Sequence, residues 1–176
     1  MNAAEYGKAL FLLAKEENLC DRIKSEGEAI VTLLSQNPKY ITLLDTPALP
    51  TAEKTQLLDQ AFGHFHVHLL NFMKILVSKR AVYLYSRAYS AFMQAYDEDN
   101  NILHAHAVTA VALSDAQKQA LVDKLCSITE KNVILKNTVD PAVLGGVRLQ
   151  FDGVSLDSSI ENQLQSLRKA LKQTNL

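Results

Sequence analysis

The five histidines fall into two groups, and their spacing is what most invites a chemical reading. His64, His66 and His68 alternate through His64-Phe65-His66-Val67-His68. On a helix His64 and His68 share a face, and imidazoles four residues apart are a zinc-capable pair. A metalloprotease places a glutamate between such histidines, next to the first. None stands here, and no third ligand is signposted, so the segment reads as a partly exposed loop and helix start. His104 and His106 would share one face of a strand, and the same reading applies. Cys20 and Cys126 are far apart and fit no metal-type spacing. They read as small buried hydrophobes in a reducing compartment. No metal and no cofactor are assigned.

Nucleotide and hydrolase chemistry find no better footing. Gly145-Gly146 is followed by a strand pattern, whereas a phosphate loop needs spaced glycines, then Gly-Lys-Ser/Thr, at the start of a helix. A bend or a close backbone approach entering a strand accounts for the pair. Asp140, Asp152 and Asp157 sit at turns and strand ends, where aspartate is at home. There is no Gly-x-Ser-x-Gly, His-Glu-x-x-His or Gly-x-Gly-x-x-Gly motif, so no catalytic residue is assigned and the chain is read as a non-enzyme. The formal charge of −1 argues against a nucleic-acid partner and against a polybasic membrane patch. The run from Ala9 to Ala14 is the longest without a polar side chain, far below the ~18 residues of a membrane span. The opening residues lack the basic leader and cleavage site of a signal peptide. A soluble, cytoplasmic protein is expected.

The elements that carry these residues divide at about residue 101, and 176 residues suit one large or two small domains. Hydrophobic content of 48% supplies a core without disulfides or metals. Residues 1–101 read as a helical bundle, with few prolines and glycines and apolar spacing near 3.6. Helices are expected over Asn2–Asn18, Asp21–Gln36 (inner stripe Ile23, Ile30, Leu33, Leu34), Tyr40–Leu44, Thr51–Phe62, Val67–Lys79 and Ala81–Asp99. Pro38 marks a break, Thr51 reads as an N-cap, and Gly63 ends a helix. Residues 102–176 read as a small α+β domain. A strand is expected within Ile102–Leu113, then a helix to Ile128 opened by the capping box Ser114-Asp115-Ala116-Gln117. Strands follow at Val133–Val139 and Val147–Phe151, a turn at Asp152-Gly153, a return strand at Val154–Leu156, and a last helix bearing Ile160, Leu164, Leu167 and Leu171. The fold class is mainly α: a six-helix bundle followed by an α+β domain.

Two helices carry more apolar surface than one stripe requires. The first has Tyr6, Leu10 and Leu13 on one side and Phe11 and Ala14 turned away from them. The fifth has Leu69, Leu70, Phe72, Met73, Ile75, Leu76 and Val77, broken only by Asn71 and Lys74. If adjacent, they would leave a groove that accepts the apolar face of a partner helix. If both are central in the bundle, no groove is needed, and on pattern alone both readings stand.

The run Tyr6-Gly7-Lys8-Ala9-Leu10-Phe11-Leu12-Leu13-Ala14 resembles the opening helix of the δ subunit family of F-type ATP synthases, whose mitochondrial relative is the oligomycin-sensitivity-conferring protein. Gly7 stands where that family commonly has alanine, and the arginine often seen upstream is absent. The stretch from Val139 to Leu149, with Asp140, Leu144, Gly145, Gly146 and Val147, is similar to the family's C-terminal signature. Asp152 to Ile160 resembles its continuation, with Ser158 where glycine is usual. Length, domain order and the closing amphipathic helix agree as well.

The resemblance implies a non-catalytic peripheral-stalk (stator) subunit of a proton-translocating F-type ATP synthase, one copy per complex. Such a subunit is peripheral on the cytoplasmic face of the bacterial inner membrane, without insertion into it. The N-terminal helix of an α subunit would lie between the first and fifth helices. By position that implicates Tyr6, Ala9, Leu10, Leu13, Phe72, Ile75, Leu76 and Lys79. The C-terminal domain would meet the b subunits around Asp140, Leu144, Gly145, Gly146, Val147 and Leu149. The competing readings are a generic helical scaffold unrelated to ATP synthase and a metal-dependent enzyme using the histidines.

Overall fold

A computed structural model describes residues 2–141, 143, 146–151 and 154–157. The chain forms two compact units, Met1–Asp97 and Glu98–Leu176. Among the described residues the first unit contains α1 (Ala3–Glu16), α2 (Cys20–Gln36), α3 (Pro38–Asp45), α4 (Thr51–Phe62), α5 (Val67–Ser78), a 3₁₀ turn (Val82–Leu84) and α6 (Tyr85–Asp99). The second contains β1 (Ile102–Thr109), α7 (Asp115–Thr129), β2 (Asn132–Val139), β3 (Val147–Phe151) and β4 (Val154–Asp157). The turn expected at Asp152-Gly153 and the last helix expected to carry Ile160, Leu164, Leu167 and Leu171 lie outside the described residues.

The bundle is organised around α6. Its Tyr85, Ala88 and Phe92 are buried. Phe92 takes the ring of Phe11 from α1 edge-on at 6.0 Å, and Tyr85 lies 5.8 Å from the ring of Phe72 on α5. Along α2, Tyr89 packs on Gly27 and its hydroxyl donates to the Lys24 carbonyl at 2.7 Å. One turn pair further on, the Tyr96 hydroxyl donates to Asp21 at 2.6 Å. The Tyr89 and Tyr96 phenols are pushed up to about 12, Tyr89 chiefly by burial and Tyr96 chiefly by that hydrogen bond.

The tightest point is Gly7. A Cβ built there would stand 2.1 Å from the Ala88 carbonyl oxygen, 2.7 Å from the Ala91 Cβ and 2.8 Å from the Phe92 nitrogen. The backbones of α1 and α6 therefore touch, which only a residue without a side chain permits. Ile23, Ile30 and Leu34 of α2, Leu44 of α3, Leu58 and Phe62 of α4, and Leu69, Met73, Leu76 and Val77 of α5 complete the core.

Several element boundaries differ from the sequence expectation for identifiable reasons. Pro38 opens α3 as its first residue, because the N–H that proline lacks is unused in a first turn, so the helix starts before Tyr40. Thr51 is not an N-cap. Pro50, extended at φ −59 and ψ 145, takes that place and no side chain caps α4. Leu33 is 39% exposed rather than on the inner stripe of α2, whose buried line is Ile23, Gly27, Ile30 and Leu34. The expected Ala81–Asp99 helix is divided, because Asp45 at the end of α3 accepts from the nitrogens of Val82 at 3.0 Å and Tyr83 at 3.3 Å, holding a 3₁₀ turn before α6. The strand expected within Ile102–Leu113 stops at Thr109. There the Thr109 hydroxyl donates to the Val111 carbonyl and Asn137 accepts from the Leu113 nitrogen, turning the chain toward α7.

In the second unit the strand order is β2-β1-β3-β4. β1 runs parallel to β2, pairing Ile102 with Asn132 through Thr109 with Val139, and antiparallel to β3, pairing Thr109 with Val147. β3 pairs antiparallel with β4. A parallel pair needs a crossover, and α7 supplies it, opened by the reciprocal capping box of Ser114 and Gln117. Leu103, Ala105 and Ala107 of β1 and Leu125 of α7 are buried together in this unit's core.

Substituting Gly7→Ala forces α1 off α6. The ~1 kcal/mol of helix propensity gained is outweighed by overpacking against backbone, for a net loss of about 2 kcal/mol. Urea unfolding of the full chain followed by circular dichroism measures it, and an unchanged or raised midpoint would contradict this account of the α1–α6 contact.

Candidate docking surfaces

The glycine signature falls between β2 and β3. β2 ends at Val139 and β3 begins at Val147, and these strands flank β1 on opposite sides. The chain must therefore cross over the end of β1, about 10 Å for two strand spacings. The Asp140 nitrogen donates to the Thr109 carbonyl at 2.9 Å, extending the β1–β2 ladder by one bond, and the Val143 nitrogen turns back onto the Asp140 carbonyl at 3.0 Å. Val143 is buried. Gly146 enters β3 with φ 88, a left-handed backbone that strains any residue bearing a Cβ. Asn137 ties β2 to the end of β1, donating to the Ala107 carbonyl at 3.1 Å and the Thr109 hydroxyl at 2.9 Å. Asp140, Val147 and Leu149 are half-buried, whereas Leu144 and Gly145 lie outside the described residues.

On the bundle, α1 and α5 meet through the rings of Tyr6 and Phe72, 6.4 Å apart. The eight residues singled out from the sequence divide by depth. Leu10, Phe72 and Leu76 are buried in the core, and Tyr6 is half-buried. Ala9, Leu13, Ile75 and Lys79 are exposed, with Leu13 at 37% and Ile75 at 46%, high values for large apolar side chains. Part of each helix is thus core, and part faces outward.

The N-terminus of α5 is held by two carboxylates from elsewhere in the bundle. Glu17, just after α1, meets His68 Nε2 at 2.7 Å, and Glu26 of α2 accepts from the His66 backbone nitrogen while Arg22 binds its other oxygen at 2.7 Å. His66 caps the helix, its Nδ1 accepting from the His68 nitrogen at 3.3 Å. Burial pushes the Glu26 carboxyl up, but the Arg22 side-chain and His66 backbone hydrogen bonds and the Arg22 charge outweigh it, leaving Glu26 below the usual carboxylate range. The histidines of this run thus serve helix capping and helix pinning. His64 precedes α5 and does not share a helix face with His68. His106 meets the Thr138 hydroxyl at 2.7 Å. Among the described residues no three His, Cys, Asp or Glu side chains gather as metal ligands, and no helix is long and apolar enough to cross a membrane. Sequence reasoning missed Glu17 and Glu26, since each is at least 40 residues from the group it holds and nothing local marks such a pair.

Comparison with known proteins fits this geometry. The family model "ATP synthase delta (OSCP) subunit" matches residues 3–171. The chain belongs to the ATP synthase delta (OSCP) subunit family. It is similar to the ATP synthase subunit delta of Desulfitobacterium hafniense, 33% identical over 170 residues, covering 96% of this chain and 95% of that one. The subunit delta of Lacticaseibacillus casei is 31% identical over 172 residues, with 97% and 95% covered. That of Clostridioides difficile is 28% identical over 173 residues, with 97% and 96% covered. A chain of the Toxoplasma gondii mitochondrial ATP synthase hexamer shares the fold, with a TM-score of 0.70 at 20% identity and 97% of each chain covered. As a delta/OSCP member the chain is a non-catalytic, peripheral-stalk subunit of ATP synthase.

Two measurements check the supports just described. Gly146→Ala should cost on the order of 1 kcal/mol from backbone strain, read from unfolding midpoints. Glu26→Gln should cost about 1 kcal/mol at neutral pH through lost charge-assisted bonding. A carboxyl whose folded value is depressed stabilises above its unfolded value and loses that contribution as pH falls through the folded one. The difference between parent and Glu26→Gln should therefore shrink to nothing below the carboxylate range, and a gap that stays constant down to that pH would refute the assignment.

Proposed function

We propose that this chain is the stator link of a proton-translocating F-type ATP synthase. In this reading the α1–α5 face of the bundle holds the N-terminal helix of an α subunit, and the C-terminal unit meets the b subunits near the glycine signature. The subunit acts as one copy per complex, on the cytoplasmic face of a bacterial inner membrane. Relatives from bacteria support that setting.

The observation that carries the reading is the outward apolar strip of Ala9, Leu13 and Ile75 over a floor of buried Leu10, Phe72 and Leu76. Exposed leucine and isoleucine on adjacent helices cost solvation in a free subunit and are relieved when an apolar helix face covers them. The required mechanics follow. The link must resist rotor torque without slipping, and a dry helix contact burying ~1,000 Å² or more is stable enough to do so. The two carboxylate pins hold α5, so the strip sits on a braced helix. A generic scaffold role is not favoured, since the family match spans residues 3–171.

Calorimetric titration of the full chain with a peptide of the α-subunit N-terminus tests the proposal. Leu13→Asp and Ile75→Asp, both at exposed positions that leave the core intact, should each weaken binding by ~2 kcal/mol or more if they are central anchors. Leu10→Asp is unsuitable, because that side chain is only 6% exposed and its loss would unfold the bundle. Tight binding indifferent to both substitutions would move the α-subunit site elsewhere.

A further inference from the structure

β2 is an outer strand of the C-terminal sheet, with β1 on one side only. It runs for 8 residues, Asn132–Val139, longer than the usual ~5–6, and it contains no proline. The Asn132 N–H donates to the Asn101 carbonyl at 2.7 Å and the Asp140 N–H to the Thr109 carbonyl at 2.9 Å, both toward β1. Backbone groups alternate sides along a strand, so Asn132, Ile134, Lys136 and Thr138 spend their N–H and C=O groups on the parallel ladder with β1. Those of Val133, Leu135, Asn137 and Val139 point the other way, to an edge that no strand among the described residues pairs.

Native sheets blunt such an edge with proline, a bulge, a very short strand or lysine. β2 has only the lysine, Lys136, and its register runs without a bulge from Ile102–Asn132 to Thr109–Val139. The strand is apolar on both sides of that lysine, with Ile134 51% exposed and Val139 46% exposed. Ile134 and Lys136 share the sheet face turned away from buried Leu103, Ala105 and Ala107. On that face β1 adds Ile102, His104, His106 and Val108, so the two strands place no carboxylate there.

We propose that the free edge of β2 accepts an extended segment of another ATP synthase subunit as an added strand, with a β-branched or aromatic residue beside Ile134 and a carboxylate beside Lys136. The outward main-chain groups supply the bonds, and the side chains at alternate positions select the partner. A second copy of this chain does not fit. The antiparallel two-fold pairing that uses all the outward residues sets Val133 against Val139 and Lys136 against Lys136. That lysine pair is of the closer, non-hydrogen-bonded kind, where like charges repel. The edge is separate from the α1–α5 groove, and the proposal does not depend on a helix docking there.

Hydrogen exchange at single-residue resolution tests it, on the free full chain and on the intact ATP synthase of the same organism. In the free chain the Val133, Leu135, Asn137 and Val139 amides should exchange faster than those of Ile134, Lys136 and Thr138. In the complex the outward amides should slow about tenfold or more, and the inward ones far less. That alternation marks strand pairing, because a helix laid over the side chains offers no acceptor to every second N–H. Lys136→Glu should undo the slowing about fivefold, and Lys136→Arg should keep it. Outward amides that stay fast in the complex, or that slow evenly with the inward ones, overturn strand addition. An alternating slowing that Lys136→Glu leaves intact overturns the acidic partner. The peptide titration at the groove succeeds or fails separately from each of these results.

Discussion

The bundle depends on the contact of two helix backbones at Gly7. Because α1 lies directly on Ala88, Ala91 and Phe92, it is held at a distance set by main-chain atoms and cannot be tuned by side-chain repacking. That fixes which of its residues are inside. Leu10, Phe11 and Ala14 follow Gly7 into the core, and everything on the far side, Ala9 and Leu12 included, is turned outward. The position of α5 is set through the same helix, since Phe72 reaches Tyr85 of α6 on one side and Tyr6 of α1 on the other. The apolar strip between α1 and α5 is thus a consequence of how closely α1 and α6 approach. The Tyr85 hydroxyl sits within this packing with no hydrogen-bond partner among the described atoms, and burial raises its phenol well above the ordinary range.

Much of the fold was legible where local chemistry decides it. The capping box at Ser114 and Gln117 formed as its residue types require, and the alternation of Val147, Leu149 and Phe151 became β3. Boundaries failed where a distant group intervened. Asp45 imposes the 3₁₀ turn ahead of α6 from 37 residues away, and Asn137 ends the excursion after β1 from across the sheet. Neither interaction leaves a trace in its own neighbourhood of sequence. Thr51 failed for a local reason instead: threonine suits a cap, but the proline before it already had the extended backbone a cap needs.

The candidate docking face was half legible. Hydrophobic excess singled out two helices, because a helix apolar on more than one side must be either central or covered. It could not sort the residues by depth. Leu10 and Leu13 look alike in sequence, yet Leu10 belongs to the core and Leu13 to the surface. The choice between them is made by the axial rotation of α1, which the Gly7 contact sets. The glycine signature, by contrast, was recognisable as a pattern before its cause was visible. Part of its cause is Gly146, whose left-handed backbone strains a residue bearing a Cβ.

The placement of β1 has a mechanical meaning. The chain leaves α6 at Asp99 and enters the sheet at Ile102, on an interior strand with β2 on one side and β3 on the other. A pull along the axis of β1 from its Ile102 end therefore acts on it as shear. Shear stresses the ladder's hydrogen bonds together, from Ile102–Asn132 to Thr109–Val139, rather than peeling them one at a time from an edge. The Asp140 N–H, donating to the Thr109 carbonyl, adds one more bond at the far end of that ladder.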